Sequence, residues 1–237
     1  MDRLQSIAGE INARGGEALA IQTDVTLLAD LKKLVETTLA DYGRIDVLIN
    51  CAGMGKLIWF DEQQLDQIQT QIDVNIRGLL WASRLVLPDM IKRRAGHIIN
   101  ISSVAGYVPP PTYTVYGTTK FAVRGFTEAL SSEVKPYGVH VGAIYPGAVA
   151  TEFDQQAGVS WETDKTTPNW LLLQPEDVAL CVLQMVKKRS LRRVVPRIMH
   201  LSILLYTHFP GLVRLAYRWL FRRDETGTTA WGQPGKS

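Results

Sequence analysis

A chain of 237 residues, 46% hydrophobic and 21% charged, suits one large domain or two small ones, and is too apolar for a disordered, collagen-like or low-complexity protein. Two cysteines, Cys51 and Cys181, rule out a disulfide framework, and four scattered histidines (His97, His140, His200, His208) offer no metal-ligand spacing. The net charge of +3 is uneven: residues 1–186 carry 15 Lys and Arg against 21 Asp and Glu, residues 187–237 carry 11 against 2, and an acidic body with a basic tail is not the footprint of a nucleic-acid-binding domain.

No apolar segment of signal-peptide type follows Met1. Leu4, Ile7 and Ile11 recur at helical spacing, and Gly15-Gly16 stops that helix. Ala18 to Gln22 is a short apolar run and reads as a strand. Leu31, Leu34, Val35 and Leu39 form the next helical stripe, with Thr26 as its N-cap and Gly43 as its end. Asp46 to Asn50 reads as a strand with no polar alternation, the pattern of one buried on both faces. A long helix is expected over much of Leu65 to Lys92, a strand over His97 to Ile101, a helix over Tyr113 to Lys135 and a strand over Val139 to Tyr145. Pro175 to Lys188 reads as a helix with Pro in its first turn, and Arg193 to Val195 as a last strand. Strands alternating with helices predict an α/β fold, a Rossmann-like doubly wound parallel sheet with helices on both faces.

Ligands in such sheets bind beyond the carboxyl ends of the strands. There the sequence places Asp24, then Asn50-Cys51-Ala52-Gly53, then Ser102-Ser103, then Tyr145-Pro146-Gly147. Tyr116 and Lys120 stand four apart, on one helix face. An ammonium near a phenol favours the phenolate, which makes a tyrosine usable as a general acid or base. Ser103, at the strand end before that helix, has a hydroxyl suited to the same substrate oxygen.

Together these residues are similar to those of the short-chain dehydrogenase/reductase family. The resemblance rests on Asp24-Val25, Asn50-Cys51-Ala52-Gly53, Asn75, Ser103, Tyr116-x-x-x-Lys120 and Pro146-Gly147-x-Val149-x-Thr151, in the family's order and spacing, from Met1 to about Arg197. It implies an oxidoreductase that moves a hydride between NAD or NADP and a carbonyl or secondary alcohol. Tyr116 would exchange the proton, Lys120 would lower its pKa and hold the nicotinamide ribose, Ser103 would orient the substrate oxygen, and Asn75 would hold a water linking Lys120 to solvent. Asp24 and Val25 would border the adenine. Asn50, Ala52 and Gly53 would lie along the cofactor, and Pro146, Gly147, Val149 and Thr151 would frame the nicotinamide. The Cys51 position more often carries Asn in the family. A homo-oligomer and a small-molecule substrate are expected, with no nucleic acid.

The family opens with a strand, a glycine-rich phosphate loop, a helix and a second strand, and none of these is in the sequence; a βαβ opening amounts to roughly 30 residues or more. Two explanations stand: a piece of a longer active reductase, or a truncated, catalytically silent member acting as an interaction module. The residue that separates NAD from NADP belongs to the absent part. Without the first strand, Ala18–Gln22 would lack its neighbours, and a monomer would be less stable than full-length relatives.

Glu152 to Leu173 corresponds to the family's mobile lid. Trp161 and Trp170, with Tyr107 and Tyr113, either line an apolar substrate pocket or serve as ordinary packing aromatics. The division expected is 1–197 as the incomplete Rossmann-like domain and 198–237 as a basic, amphipathic extension. From Lys187 to Arg223 there are ten basic residues and no acidic one. Pro210 starts a final helix with Arg214, Arg218 and Arg222 on one stripe and Leu212, Leu215, Ala216, Trp219 and Leu220 on other faces. That pattern fits either peripheral membrane contact through 198–223 or packing on the body or across a dimer. The longest uncharged run, Ile198 to Val213, falls short of the ~20 residues of a spanning helix. A cytoplasmic compartment is expected, with the chain free or peripheral at a membrane surface.

Overall fold

The structure is a computed structural model; it describes residues 2–158 and 168–221. In chain order the elements are α1 (Asp2–Ala13), α2 (Leu28–Tyr42), β1 (Val47–Asn50), α3 (Leu65–Ile72), a π-helical turn (Asp73–Gly78), α4 (Leu79–Arg93), β2 (Gly96–Ile101), α5 (Thr114–Val134) and β3 (Val139–Pro146). α6 (Glu152–Ala157), α7 (Pro175–Lys188), β4 (Arg192–Val195), α8 (Met199–His208) and α9 (Pro210–Leu220) follow. The strands form a parallel sheet in the order β1-β2-β3-β4.

Side-chain alternation decides which helix each strand meets. Ile98 of β2 and Val139 and Val141 of β3 point to one face and pack on Val86 and Met90 of α4 and Leu130 and Val134 of α5. Ile99 and Ile144 point to the other, against Val182 and Met185 of α7. Both faces are thus covered, which is why β2 and β3 read as unbroken apolar runs.

The segment Ala18–Gln22 is not a strand. It is irregular, and Asn12 satisfies the Ala18 backbone: Asn12 Nδ2 donates to the Ala18 carbonyl (3.2 Å) and the Ala18 N–H donates to Asn12 Oδ1 (2.7 Å). Apolar composition alone does not make a strand; a ladder partner does. β1 is the edge of the described sheet, and Val47 and Ile49 are exposed on it. The stripe of α1 (Leu4, Ile7, Ile11) is likewise exposed. Thr26 does not cap α2. The N-cap is Leu27, and the Thr26 N–H and hydroxyl both donate to Asp24 Oδ1 (2.8 Å each). α2 ends, as expected, at Gly43 in the left-handed conformation. Among the described residues no helix is long and apolar enough to cross a membrane.

Candidate active site

β2 delivers the chain to the carboxyl edge of the sheet at Ile101. Ser103 opens a short 3-10 turn, Val104–Gly106, and its Oγ accepts the Ala105 N–H (3.1 Å). Ala105 packs on the Tyr116 ring, so Ser103 lies two residues from direct contact with α5.

Tyr116 and Lys120 lie one turn apart on α5 and are both buried. Lys120 Nζ donates to the Ile101 carbonyl (3.1 Å) and stands 5.5 Å from the centre of the Tyr116 ring. The other walls around Tyr116 are apolar: Phe153 (5.5 Å between ring centres), Tyr113 (6.0 Å), Leu57 and Ala157. Burial pulls the Lys120 ammonium down to about 8, with the nearby Cys51 opposing the shift.

Asn75 sits in the π-helical turn between α3 and α4, where the extra residue per turn moves a side chain off the ordinary helical register. Its Nδ2 donates to the Met54 carbonyl (2.7 Å) and to Thr119 Oγ1 (3.0 Å), and its Oδ1 accepts the Met54 N–H (2.8 Å). Thr119 Oγ1 in turn donates to the Tyr116 carbonyl (2.7 Å). Gly53 lies where these groups meet: a Cβ there would stand 3.5 Å from both Asn75 Oδ1 and Lys120 Nζ.

The Asn50 side chain points into the interior. Its Nδ2 donates to Ser83 Oγ (3.0 Å) and Asn100 Oδ1 (2.8 Å), and Asn100 Nδ2 donates to Thr127 Oγ1 (2.9 Å). This buried ladder ties β1 and β2 to α4 and α5, so any ligand contact at Asn50 falls to its main chain. Asp24, Val25 and Ala52 line a separate cavity of about 570 Å³ with Gln22, Thr23, Asp30 and Lys33. Hydrogen bonds from the Thr26 N–H and hydroxyl hold the Asp24 carboxyl below its ordinary range. Val25 is pressed on the π-turn: a Cβ at Gly78 would meet the Val25 carbonyl at 2.8 Å, so only glycine fits this approach. At the end of β3, Pro146 is buried and the Gly147 N–H donates to the Val195 carbonyl (2.7 Å). Val149 bridges to Leu173, and Thr151 stands at the start of α6, where its Oγ1 accepts the Phe153 N–H (3.4 Å).

Gly53, Asn75, Tyr116 and Lys120 therefore gather around Lys120 Nζ, and Ser103 stands two residues before Ala105 of the Tyr116 cluster; Asp24, Val25 and Ala52 gather at the cavity, and Pro146 to Thr151 follow the neighbouring strand. The aromatics read as either pocket lining or packing divide. Tyr113 lies against Tyr116, but Tyr107 is an interior residue, 4.7 Å between ring centres from Tyr145 and capped by the Arg124 guanidinium at 4.0 Å. Trp170 is 74% exposed and is not among the residues that line the cavity at Asp24. Trp161 and Arg222 lie outside the described residues. Sequence reasoning missed Thr119, Phe153 and the Met54 backbone; Thr119, one residue before Lys120, carried a positional signal, the other two none.

Residues 1–160 match the family model described as short chain dehydrogenase. An uncharacterized oxidoreductase of Staphylococcus saprophyticus is 43% identical over 155 residues, covering 64% of this chain and 62% of that protein. A 3-oxoacyl-(acyl-carrier-protein) reductase of Synechocystis sp. is 37% identical over 150 residues, covering 63% and 61%. The chain thus spans less than two thirds of these curated relatives' length. Among solved structures, a short-chain dehydrogenase from Sphingobium yanoikuyae in complex with NADPH superposes with a TM-score of 0.74 at 30% identity, covering 90% of this chain and 82% of that one. With the matched residues spanning most of the sheet and the whole Tyr116–Lys120 helix, this chain belongs to the short-chain dehydrogenase family.

Proposed function

We propose that the chain carries the proton-transfer site of an oxidoreductase that uses NAD or NADP and acts on a carbonyl or secondary alcohol with an apolar body. The observation that carries this reading is that Lys120 Nζ stands 5.5 Å from the centre of the Tyr116 ring while Lys120 Nζ and Asn75 Oδ1 both face Gly53. A bound dinucleotide would supply or accept the hydride. In the reducing direction Tyr116 gives its phenolic proton to the substrate oxygen; in the reverse direction its phenolate takes the proton of the alcohol. The Lys120 ammonium beside the ring favours the phenolate and would hold the ribose of the nicotinamide nucleotide. The Ser103 hydroxyl orients the substrate oxygen. Asn75 fixes the Met54 loop against Thr119 and leads solvent protons towards Lys120 through a bound water.

The residues present fit the two ends of a dinucleotide. The cavity at Asp24, Val25 and Ala52 suits an adenosine, with the Asp24 carboxylate as acceptor, and Gly53, Lys120 and the segment Pro146 to Thr151 suit the nicotinamide ribose and ring. The apolar walls given by Leu57, Tyr113 and Phe153 support an apolar substrate, and the relative named as a 3-oxoacyl reductase supports a carbonyl one. A homo-oligomer belongs to the same reading, as does the division into 1–197 and 198–237.

Titrating the 237-residue chain with NADH and NADPH, followed by the quenching of its tryptophans, tests this. Saturable binding of either supports the reading. Binding of neither replaces it with the silent interaction module.

A further inference from the structure

The hairpin that follows β4 turns an apolar face outwards. Its inner line, Met199, Ile203 and Tyr206 of α8 and Tyr217 of α9, packs on Tyr107, Val108, Tyr145 and Val194. Helical spacing puts Leu201, Leu204 and Leu205 on the opposite side of α8, and Leu212 and Leu215 on the opposite side of α9. All five are exposed, Leu212 at 66% and Leu215 at 62%, and Phe209 extends the face through the turn. A helix resting on a domain normally turns its apolar stripe inwards. Here both sides of α8 are apolar, and α9 keeps its leucines on the outside. A contiguous patch of this kind marks an interaction surface.

Charge identifies the occupant. Arg197 precedes the hairpin, and Arg214 and Arg218 lie one turn apart on the flank of α9; all three are exposed, with no ion pair among the described residues. From Lys187 to Phe221 the sequence has eight Lys and Arg and no Asp or Glu. A two-fold contact with a second copy would set this patch against itself, arginine facing arginine with no acid on the hairpin to meet it. A lipid surface with anionic headgroups supplies both missing partners.

We propose that the α8–α9 hairpin seats the protein on an anionic membrane surface. Leu204, Leu205, Leu212 and Leu215 enter the boundary between headgroups and acyl chains, while Arg197, Arg214 and Arg218 meet lipid phosphates. Neither helix spans the bilayer; the seat is interfacial, and it combines the apolar and the basic signal that stable attachment needs. Because the inner line grips Tyr145 of β3, the seat lies at the carboxyl edge of the sheet, which also carries Ser103, Gly147 and Thr151. The inference stands on the hairpin alone and does not depend on the oxidoreductase reading.

The test is co-sedimentation of the full chain with phosphatidylcholine vesicles, with and without phosphatidylglycerol. Pelleting only with the anionic vesicles, weakened at least ten-fold by high salt, is expected. Leu204→Glu with Leu215→Glu should abolish it, and Arg214→Glu with Arg218→Glu should remove the preference for anionic lipid. All four positions are exposed, and circular dichroism checks that each variant folds. Absence of wild-type pelleting, or pelleting that the leucine pair leaves unchanged, overturns the proposal. So does a dimer in sedimentation velocity that the leucine pair dissolves while lipid binding is absent, since the face would then belong to a second copy.

Discussion

Lys120 Nζ, 5.5 Å from the centre of the Tyr116 ring, donates a hydrogen bond to the Ile101 carbonyl, and the residue is buried. Burial brings its pKa down from 10.5 to about 8. Between those values the unfolded chain binds more protons than the folded one, so this group makes stability rise with pH from about 8 to 10.5. Below that window the buried ammonium costs the fold about 3 kcal/mol, at ~1.4 kcal/mol per unit. Lys120→Met should therefore raise stability at pH 7 in urea unfolding by about 1–3 kcal/mol, after the loss of one hydrogen bond. The gain should fade as the pH is raised through the same window. A variant less stable than the wild type at pH 7 would show that the ammonium is not a burden on the fold.

Tyr116→Phe removes the proton and leaves the ring contacts with Phe153 and Tyr113 in place. Turnover should fall by roughly 10²–10⁴-fold, the range of general acid–base catalysis, while dinucleotide affinity stays within about two-fold. Stopped-flow reduction of a hydrophobic ketone, beside the tryptophan titration, reads both quantities. Unaltered turnover would remove Tyr116 from the proton path.

Which parts of this site were legible depends on whether a residue's role is local. Tyr116 and Lys120 are bound by helical spacing, so their shared face followed from the chain alone, and β2 and β3 declared themselves because both their faces are covered. Ala18–Gln22 misled because pairing is a property of neighbours. For Tyr107 the sequence left pocket lining and ordinary packing both open; its direction is set by the 3-10 turn after Ser103, which sends it to Tyr145. The ladder through Asn50, Asn100, Thr127 and Ser83 depends on parallel register, Asn50 opposite Asn100, which no single segment encodes.

That ladder makes a prediction of its own. Asn100 is fully buried and both its amide groups are engaged. Asn100→Ala leaves the Asn50 amide short of an acceptor and should destabilise the fold by about 1–3 kcal/mol in urea unfolding. A loss below about 0.5 kcal/mol would mean that Asn50 finds another acceptor at little cost.

At the opposite end of the sheet His97 and His140 are register partners, their rings 5.6 Å apart. Burial lowers the pKa of each from 6.5, helped at His97 by Arg189 and at His140 by His97 and Arg189. Both are therefore neutral in the fold at pH 7, and the unfolded chain takes up more protons as the pH drops below 6.5. Their contribution to stability is complete above that value and is lost on acidification through the lower folded values. His97→Phe, which removes one of the pair and a buried Nε2 that has no partner among the described residues, should flatten the fall in stability as the pH drops below 6.5. An acid limb as steep as the wild type's would show that the pair does not set it.

Two glycines separate crowding at the site from helix propensity. A Cβ at Gly55 would stand 2.9 Å from Phe153 Cζ and 3.1 Å from Tyr116 Cδ2, and the Gly55 backbone does not require glycine. Gly55→Ala must therefore push on the two rings that set the Tyr116 hydroxyl, and overpacking of this kind costs about 1–3 kcal/mol. A misplacement of the proton donor by a fraction of an ångström should lower kcat/KM by about ten-fold or more, within the range that small displacements produce. Gly125, on α5 about two and a half turns beyond Tyr116, would place a Cβ in open space. Gly125→Ala should instead stabilise the helix by about 0.5–1 kcal/mol and leave turnover unchanged. Since both changes add one methyl group, equal kinetic effects would mean that the Phe153 and Tyr116 rings yield freely, and that the Tyr116 hydroxyl is not held by the packing around it.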